Sequence, residues 1–196
     1  MRLTDANKKV IRDRILRNAA EVLRRDGYHS VNIDQIMQGA GLTRGTFYSH
    51  FKSKSDLLRA VIRQEHPILR MLESRDGKNP DTLFDQMMGI FRGYLDPANL
   101  DQIFLGCSVA ALAGDVTRSP DDVKAAFADA WQDILTEMAR GQSTKPETYS
   151  AAFILASGAV RSAQAMHDPQ LKSQTLATAL AGFEVLMRQT NSQTEQ

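Results

Sequence analysis

Cysteine is almost missing from this sequence: Cys107 is the only one in 196 residues. A single thiol excludes an internal disulfide and any zinc site built from several cysteines. The four histidines, at positions 29, 50, 66 and 167, never fall at the His-x-x-x-His spacing of a helical metal site. No metal or other cofactor is expected. There is no Gly-x-Ser-x-Gly elbow and no phosphate-cradling Walker loop, so two common catalytic layouts are excluded and the chain is not expected to be an enzyme. No run of about 18 apolar residues exists to span a membrane. Met1-Arg2-Leu3-Thr4-Asp5 is polar, without the apolar stretch of a secretory signal, and a cytoplasmic protein is expected. Alternating β-branched runs and Asn-Gly hairpin turns are also lacking, which argues against a sheet.

What is present is helical periodicity, on a composition of 42% hydrophobic and 24% charged residues that suits a globular protein. The net charge of +1 conceals an asymmetry. Residues 1–66 hold 13 Lys or Arg against 7 Asp or Glu, while the rest holds 11 against 16. A basic head on an acidic body points to a polyanion met at one end, although a chance division of surface charge gives the same count.

Along the chain, Val10, Ile11, Ile15, Ala19, Val22 and Leu23 recur at helical spacing and stop at Asp26-Gly27. Asn32 and Gln35 form a capping box for a short helix that ends at Gly39-Ala40-Gly41. Thr43 is placed to cap a second short helix from Arg44 to about His50, and Ser53 with Asp56 forms a further box opening a helix through Ile62. Further helices are expected over 67–73 as a continuation, 82–95, 100–117 in one or two pieces, 120–138, 146–167 and 169–188, with a frayed tail after 190. The fold class is all-α, an N-terminal head of short helices followed by a longer helical bundle. The expected division is 1–52 and 53–196, joined by the helix from about 54.

Two short helices joined by a glycine-containing turn form a helix-turn-helix. Ile33, Ile36 and Met37 supply the buried side of the first helix, Ala40 and Gly41 the turn, and Leu42 a core plug. Phe47 and Phe51, four apart, face inward. Arg44 suits guanine O6 and N7, Thr46 a thymine methyl, and Gly45 a close approach to the groove. Tyr48, His50, Lys52, Lys54 and the amides at the Ser53 cap suit phosphates.

The stretch from Val31 to Leu58 resembles the signature of the TetR/AcrR family, as do Ile11–Leu16 and Gly27-Tyr28 before it. Asn32 stands where the family usually has a threonine cap. The resemblance implies a DNA-binding head, a ligand-binding body and a homodimer closed by the last two helices, about 146–167 and 169–188. By position it assigns operator contacts to Thr43, Arg44, Gly45, Thr46, Tyr48 and His50, with Asn32, Ser49, Lys52 and Lys54 completing the set. It implies double-stranded operator DNA as one partner and a small inducer, apolar or electrophilic, as another. Repression is favoured over activation, and a helical module whose basic head meets an acidic protein stands as the alternative outside DNA binding.

Phe84, Met87, Met88, Phe91 and Trp131 are candidate pocket walls as a set, since methionines and aromatics line adaptable pockets; for any one of them core packing is the favoured reading. Gly106-Cys107 before an Ala/Leu-rich helix resembles the NemR-like subgroup of the family, in which a cysteine at a similar place senses electrophiles or oxidants. A small buried hydrophobe is the other reading of Cys107.

Overall fold

The computed structural model describes residues 5–102, 106–142 and 146–191. No strand occurs among them. The helices are α1 (Asp5–Asp26), α2 (Ile33–Gly39), α3 (Arg44–Tyr48), α4 (Lys54–Gln64), α5 (Pro67–Glu73), α6 (Pro80–Tyr94), α7 (Ser108–Val116), α8 (Asp121–Ala139), α9 (Pro146–Ala165) and α10 (Pro169–Asn191), with a 3₁₀ turn at Pro97–Asn99. The chain forms two compact units, residues 1–66 with 111–130, and residues 67–110 with 131–196.

In the first unit α1 packs against α2 and α4, and α2 against α3. Its core holds Ile15, Leu16, Leu23, Ile36, Met37, Phe47, Phe51, Leu57, Leu58 and Val61, all buried. Burying each large apolar side chain contributes about 1.5–3 kcal/mol before conformational entropy is counted. Three polar side chains of α1 pin the short helices from outside this core. Arg14 donates to the Gly41 carbonyl at 3.1 Å, Asn18 to the Ile36 carbonyl at 2.7 Å and Arg12 to the His50 carbonyl at 3.0 Å. The Gly41 and His50 carbonyls lie beyond helix ends, and the Ile36 carbonyl, in the last turn of α2, accepts from the Ala40 amide as well.

Pro67 does not continue α4. It has no N–H to donate and it restricts the residue before it, so α4 ends at Gln64 and α5 begins afresh at Pro67. The helix expected over 100–117 starts only at Ser108 among the described residues, Leu100 and Asp101 lying in a turn. Pro80 opens α6 two residues earlier than expected, because Asn79 caps it by accepting from the Thr82 amide. α10 runs on to Asn191, and the tail from 192 lies outside the described residues.

In the second unit α9 and α10 pack along one another, and α6 packs against both. Phe91 of α6 stacks on Phe183 of α10 at 4.6 Å between ring centroids and meets the Phe153 ring edge-on at 6.4 Å. A buried arginine, Arg75, ties the α5–α6 connection to its surroundings. It donates to the carbonyls of Leu72 and Leu83, each at 2.9 Å, and to that of Glu137 on α8. Burial, then the neighbouring Arg140, pulls its pKa down, while Glu137 works the other way.

Candidate nucleic-acid interface

The two short helices are fixed by chemistry local to their ends. At the start of α2 the Asn32 side chain accepts from the Gln35 amide at 2.9 Å, and the Gln35 side chain accepts from the Asn32 amide at 2.8 Å. That reciprocal box satisfies two amides with no intrahelical partner. The far end of α2 turns through Gly41 at φ +62°, a conformation glycine adopts without steric cost. The Leu42 amide then reaches back to the Met37 carbonyl at 2.8 Å. Leu42 itself is only half-buried, so it closes the edge of the core rather than plugging it. Ile33 is half-buried as well, and Ile36 and Met37 carry the buried face of α2.

The start of α3 departs from its sequence pattern. Thr43 makes no side-chain cap; its hydroxyl pairs with that of Thr46 at 3.1 Å. The box at α4 is half formed: Ser53 accepts from the Asp56 amide at 3.0 Å, but Asp56 reaches one residue further, to the Lys52 amide at 3.0 Å. Phe47 and Phe51 hold α3 from below, their ring centroids 5.7 Å apart, and the Arg12 guanidinium lies 4.3 Å from the Phe51 centroid. The inward face of this five-residue helix is therefore fixed.

Its outward face carries the candidate contacts. Thr43, Arg44, Gly45, Tyr48, Ser49 and Lys52 are exposed, with Thr46 and His50 half-buried beside them. Asn32 is also exposed, though its side-chain oxygen is engaged in the cap. A Cβ added at Gly45 would find only the Thr43 hydroxyl, at 3.9 Å. Nothing in the chain itself requires glycine there.

Lys54 is placed differently. Its ammonium donates to the Tyr28 carbonyl and lies 4.3 Å from the Tyr28 ring centroid. Burial lowers its pKa, and nearby Asp115 pulls the other way. It is directed into its own unit, whereas Lys52 stands free of this constraint on the exposed side.

One residue at this face escaped the sequence reading. Asp34, on the first turn of α2, forms an ion pair with Arg44 at 2.6 Å. Side-chain hydrogen bonding, to Tyr48 first and then Asp34, raises the Arg44 pKa, and the Asp34 charge adds to it. The available signal was that Asp34 is the one acidic residue between positions 27 and 55.

Residues 15–61 match the family model described as bacterial regulatory proteins, tetR family. Over this segment the chain is similar to the TetR family. Two curated relatives match part of the chain. Over 68 residues, the chain is 41% identical to the HTH-type transcriptional regulator TtgW of Pseudomonas putida, covering 34% of this chain and 51% of that protein. It is 37% identical over 68 residues to the HTH-type transcriptional regulator UidR of Escherichia coli, covering 34% and 35%. The match thus spans about half of the first relative and a third of the second. Among solved structures, SCO4454, a TetR-family transcriptional regulator from Streptomyces coelicolor, aligns with a TM-score of 0.68 at 26% identity, over 93% of this chain and 96% of that one. Reduced E. coli NemR aligns with a TM-score of 0.70 at 17% identity, over 89% and 95%, a likeness of fold.

In the second unit, the pocket candidates are mostly packed. Met87, Met88, Phe91 and Cys107 are buried, and Phe84 and Trp131 are half-buried. Trp131 meets Phe153 at 4.9 Å between centroids, placing it in the aromatic cluster. A small hollow of about 20 Å³ opens among Gly93, Tyr94, Asn99, Leu100, Gly106 and Gln164, and none of the six candidates lines it. Along α9 and α10, Ile154, Leu171 and Val185 are exposed apolar residues. A Cβ at the exposed Gly158 would have nothing within 4 Å. No helix among the described residues is long and apolar enough to cross a membrane.

Proposed function

We propose that this chain is a transcriptional repressor that binds a palindromic operator as a homodimer and releases it when a small inducer occupies the second unit. The observation that carries the reading is α3, fixed below by Phe47, Phe51 and Arg12 and presenting Arg44, Gly45, Thr46 and Tyr48 outward. Arg44 reads guanine, Thr46 touches a thymine methyl, and Gly45 brings the backbone near the groove. Asn32, Thr43, Ser49, His50 and Lys52 meet phosphates and sugars beside them. Lys54 joins them by exchanging the Tyr28 carbonyl for a phosphate.

The proposed domains are 1–52 for DNA and 53–196 for ligand and dimer. Dimerisation runs through α9 and α10, supported by exposed Ile154, Leu171 and Val185 and by the open approach at Gly158. Two such helices from each subunit close an isologous interface and set two recognition helices a DNA turn apart. The inducer is apolar or electrophilic and is received by Phe84, Met87, Met88, Phe91 and Trp131, whose methionines can repack around it. It must bind the DNA-competent and released states with different affinity, because equal binding shifts nothing. Modification of Cys107 is the alternative trigger, and since that thiol is buried just ahead of α7 it requires local opening. Such a regulator works in the cytoplasm.

The test is selection from a random duplex pool by the purified protein at near-physiological salt. An inverted repeat is expected. Recovery of unrelated sequences, or a salt dependence too shallow for phosphate contacts, overturns the DNA reading in favour of an acidic protein partner.

A further inference from the structure

An acidic side chain on a surface meant for phosphate is costly, and Asp34 occupies such a surface. It stands on the first turn of α2, and 2.6 Å away lies Nη1 of Arg44, the first residue of α3. Both side chains are 57% exposed, so the pair adds little to folding stability. Repulsion from the DNA backbone works against keeping a carboxylate here, and the pair needs another use.

Geometry supplies one. A guanidinium presents five N–H donors in a rigid plane, and Asp34 engages it at Nη1. That pair is made through Nη1, so it does not itself occupy the Nε and Nη2 edge that the two acceptors of a guanine require. An arginine swings over many rotamers when unsupported, and holding it in one removes an ordering cost at the moment of binding. The support is itself fixed, since α2 is clamped by the Asn32–Gln35 box at the turn that carries Asp34.

We infer that Asp34 is a specificity-determining positioning residue, which holds the Arg44 guanidinium so that its Nε and Nη2 edge meets guanine. Asp34 touches no base in this role and acts through Arg44. The inference rests on the DNA-binding reading above, and its test separates the two.

Sequence preference is measured position by position, on the selected operator and its single-base variants, for the full-length wild type, Arg44→Ala, Asp34→Ala and Asp34→Asn. Arg44→Ala locates the position that Arg44 reads. Asp34→Ala is expected to flatten preference at that same position by about tenfold, leave other positions intact, and leave affinity for random DNA equal or higher because a negative charge is gone. Asp34→Asn keeps an acceptor and is expected to restore part of the preference, and melting temperature is expected to stay unchanged in both variants. Preference retained or sharpened in Asp34→Ala, or lost equally at every position, overturns the role. If the wild type selects no sequence at all, the DNA reading itself fails, whatever Asp34 does.

Discussion

Asp115 accepts the backbone N–H of Tyr28 at 3.1 Å across 87 positions of sequence. The other oxygen of the same carboxylate lies 3.9 Å from His29 Nε2, and the Lys54 ammonium is near enough to feel its charge. The turn after α1 is thus tied to α7 by a side chain that is only 15% exposed. Removing the acceptor leaves the Tyr28 amide poorly solvated, which costs about 1–3 kcal/mol. Asp115→Ala is therefore expected to lower the unfolding free energy by that amount, read as a lower urea midpoint, and Asp115→Asn by less because its amide oxygen still accepts. Equal midpoints for all three proteins would mean that the contact does not hold the turn.

Glycines 39 and 45 sit in adjacent short helices and predict opposite outcomes. A Cβ at position 39 would lie 2.8 Å from the Asn18 amide atoms, and Asn18 is pinned to the Ile36 carbonyl. Gly39→Ala is expected to destabilise by about 1–3 kcal/mol as that hydrogen bond is displaced. Gly45 has open space around it and helical geometry, so alanine there is expected to stabilise by about 0.4–1 kcal/mol. The same methyl would stand between α3 and the groove, and operator affinity is expected to fall at least about tenfold. Thermal melts beside operator titrations check both. Gly45→Ala with full affinity would remove the groove from that face of α3.

Cys107 is 2% exposed at the residue before α7. A bulky thiol reagent can reach it only through local opening, so labelling in the native protein is expected to run at least about 100-fold slower than in urea. Timed labelling followed by mass spectrometry reads this directly. Native labelling as fast as that of a small free thiol would instead favour covalent modification as the trigger.

The head was readable because its signals are local. The Asn32–Gln35 box, the glycine turn at 41 and the Phe47–Phe51 spacing each lie within five residues, and each took the form its pattern implied. Thr43 shows the limit: a hydroxyl that can cap a helix can also pair with Thr46, and local pattern does not choose. The Asp34–Arg44 pair and the Tyr28–Asp115 contact join residues 10 and 87 positions apart, and no periodicity encodes either. The second unit was legible as helices but not as a site. Met87, Phe91 and Phe153 have the spacing of a core, and a pocket wall and a packed core demand the same residues.

His50 offers a test in which stability and binding move in opposite directions with pH. Its pKa is lowered from the usual 6.5, first by partial burial and then by the charges of Arg12 and Lys8. A histidine depressed on folding stabilises the native state above the unfolded value, and that contribution is lost as pH falls through the folded value. Stability is therefore expected to decline as pH is taken from about 7.5 to 5, above the range in which carboxylates titrate. A phosphate beside the ring would raise the same pKa, so operator binding takes up a proton and affinity is expected to rise over this window, by at most about tenfold per pH unit. His50→Gln removes the titrating group and should flatten its share of both slopes. Urea midpoints and operator titrations at pH 7.5, 6.5 and 5.5 supply the two curves. Affinity in the wild type that falls with stability, or a slope untouched in His50→Gln, would place His50 away from the DNA backbone.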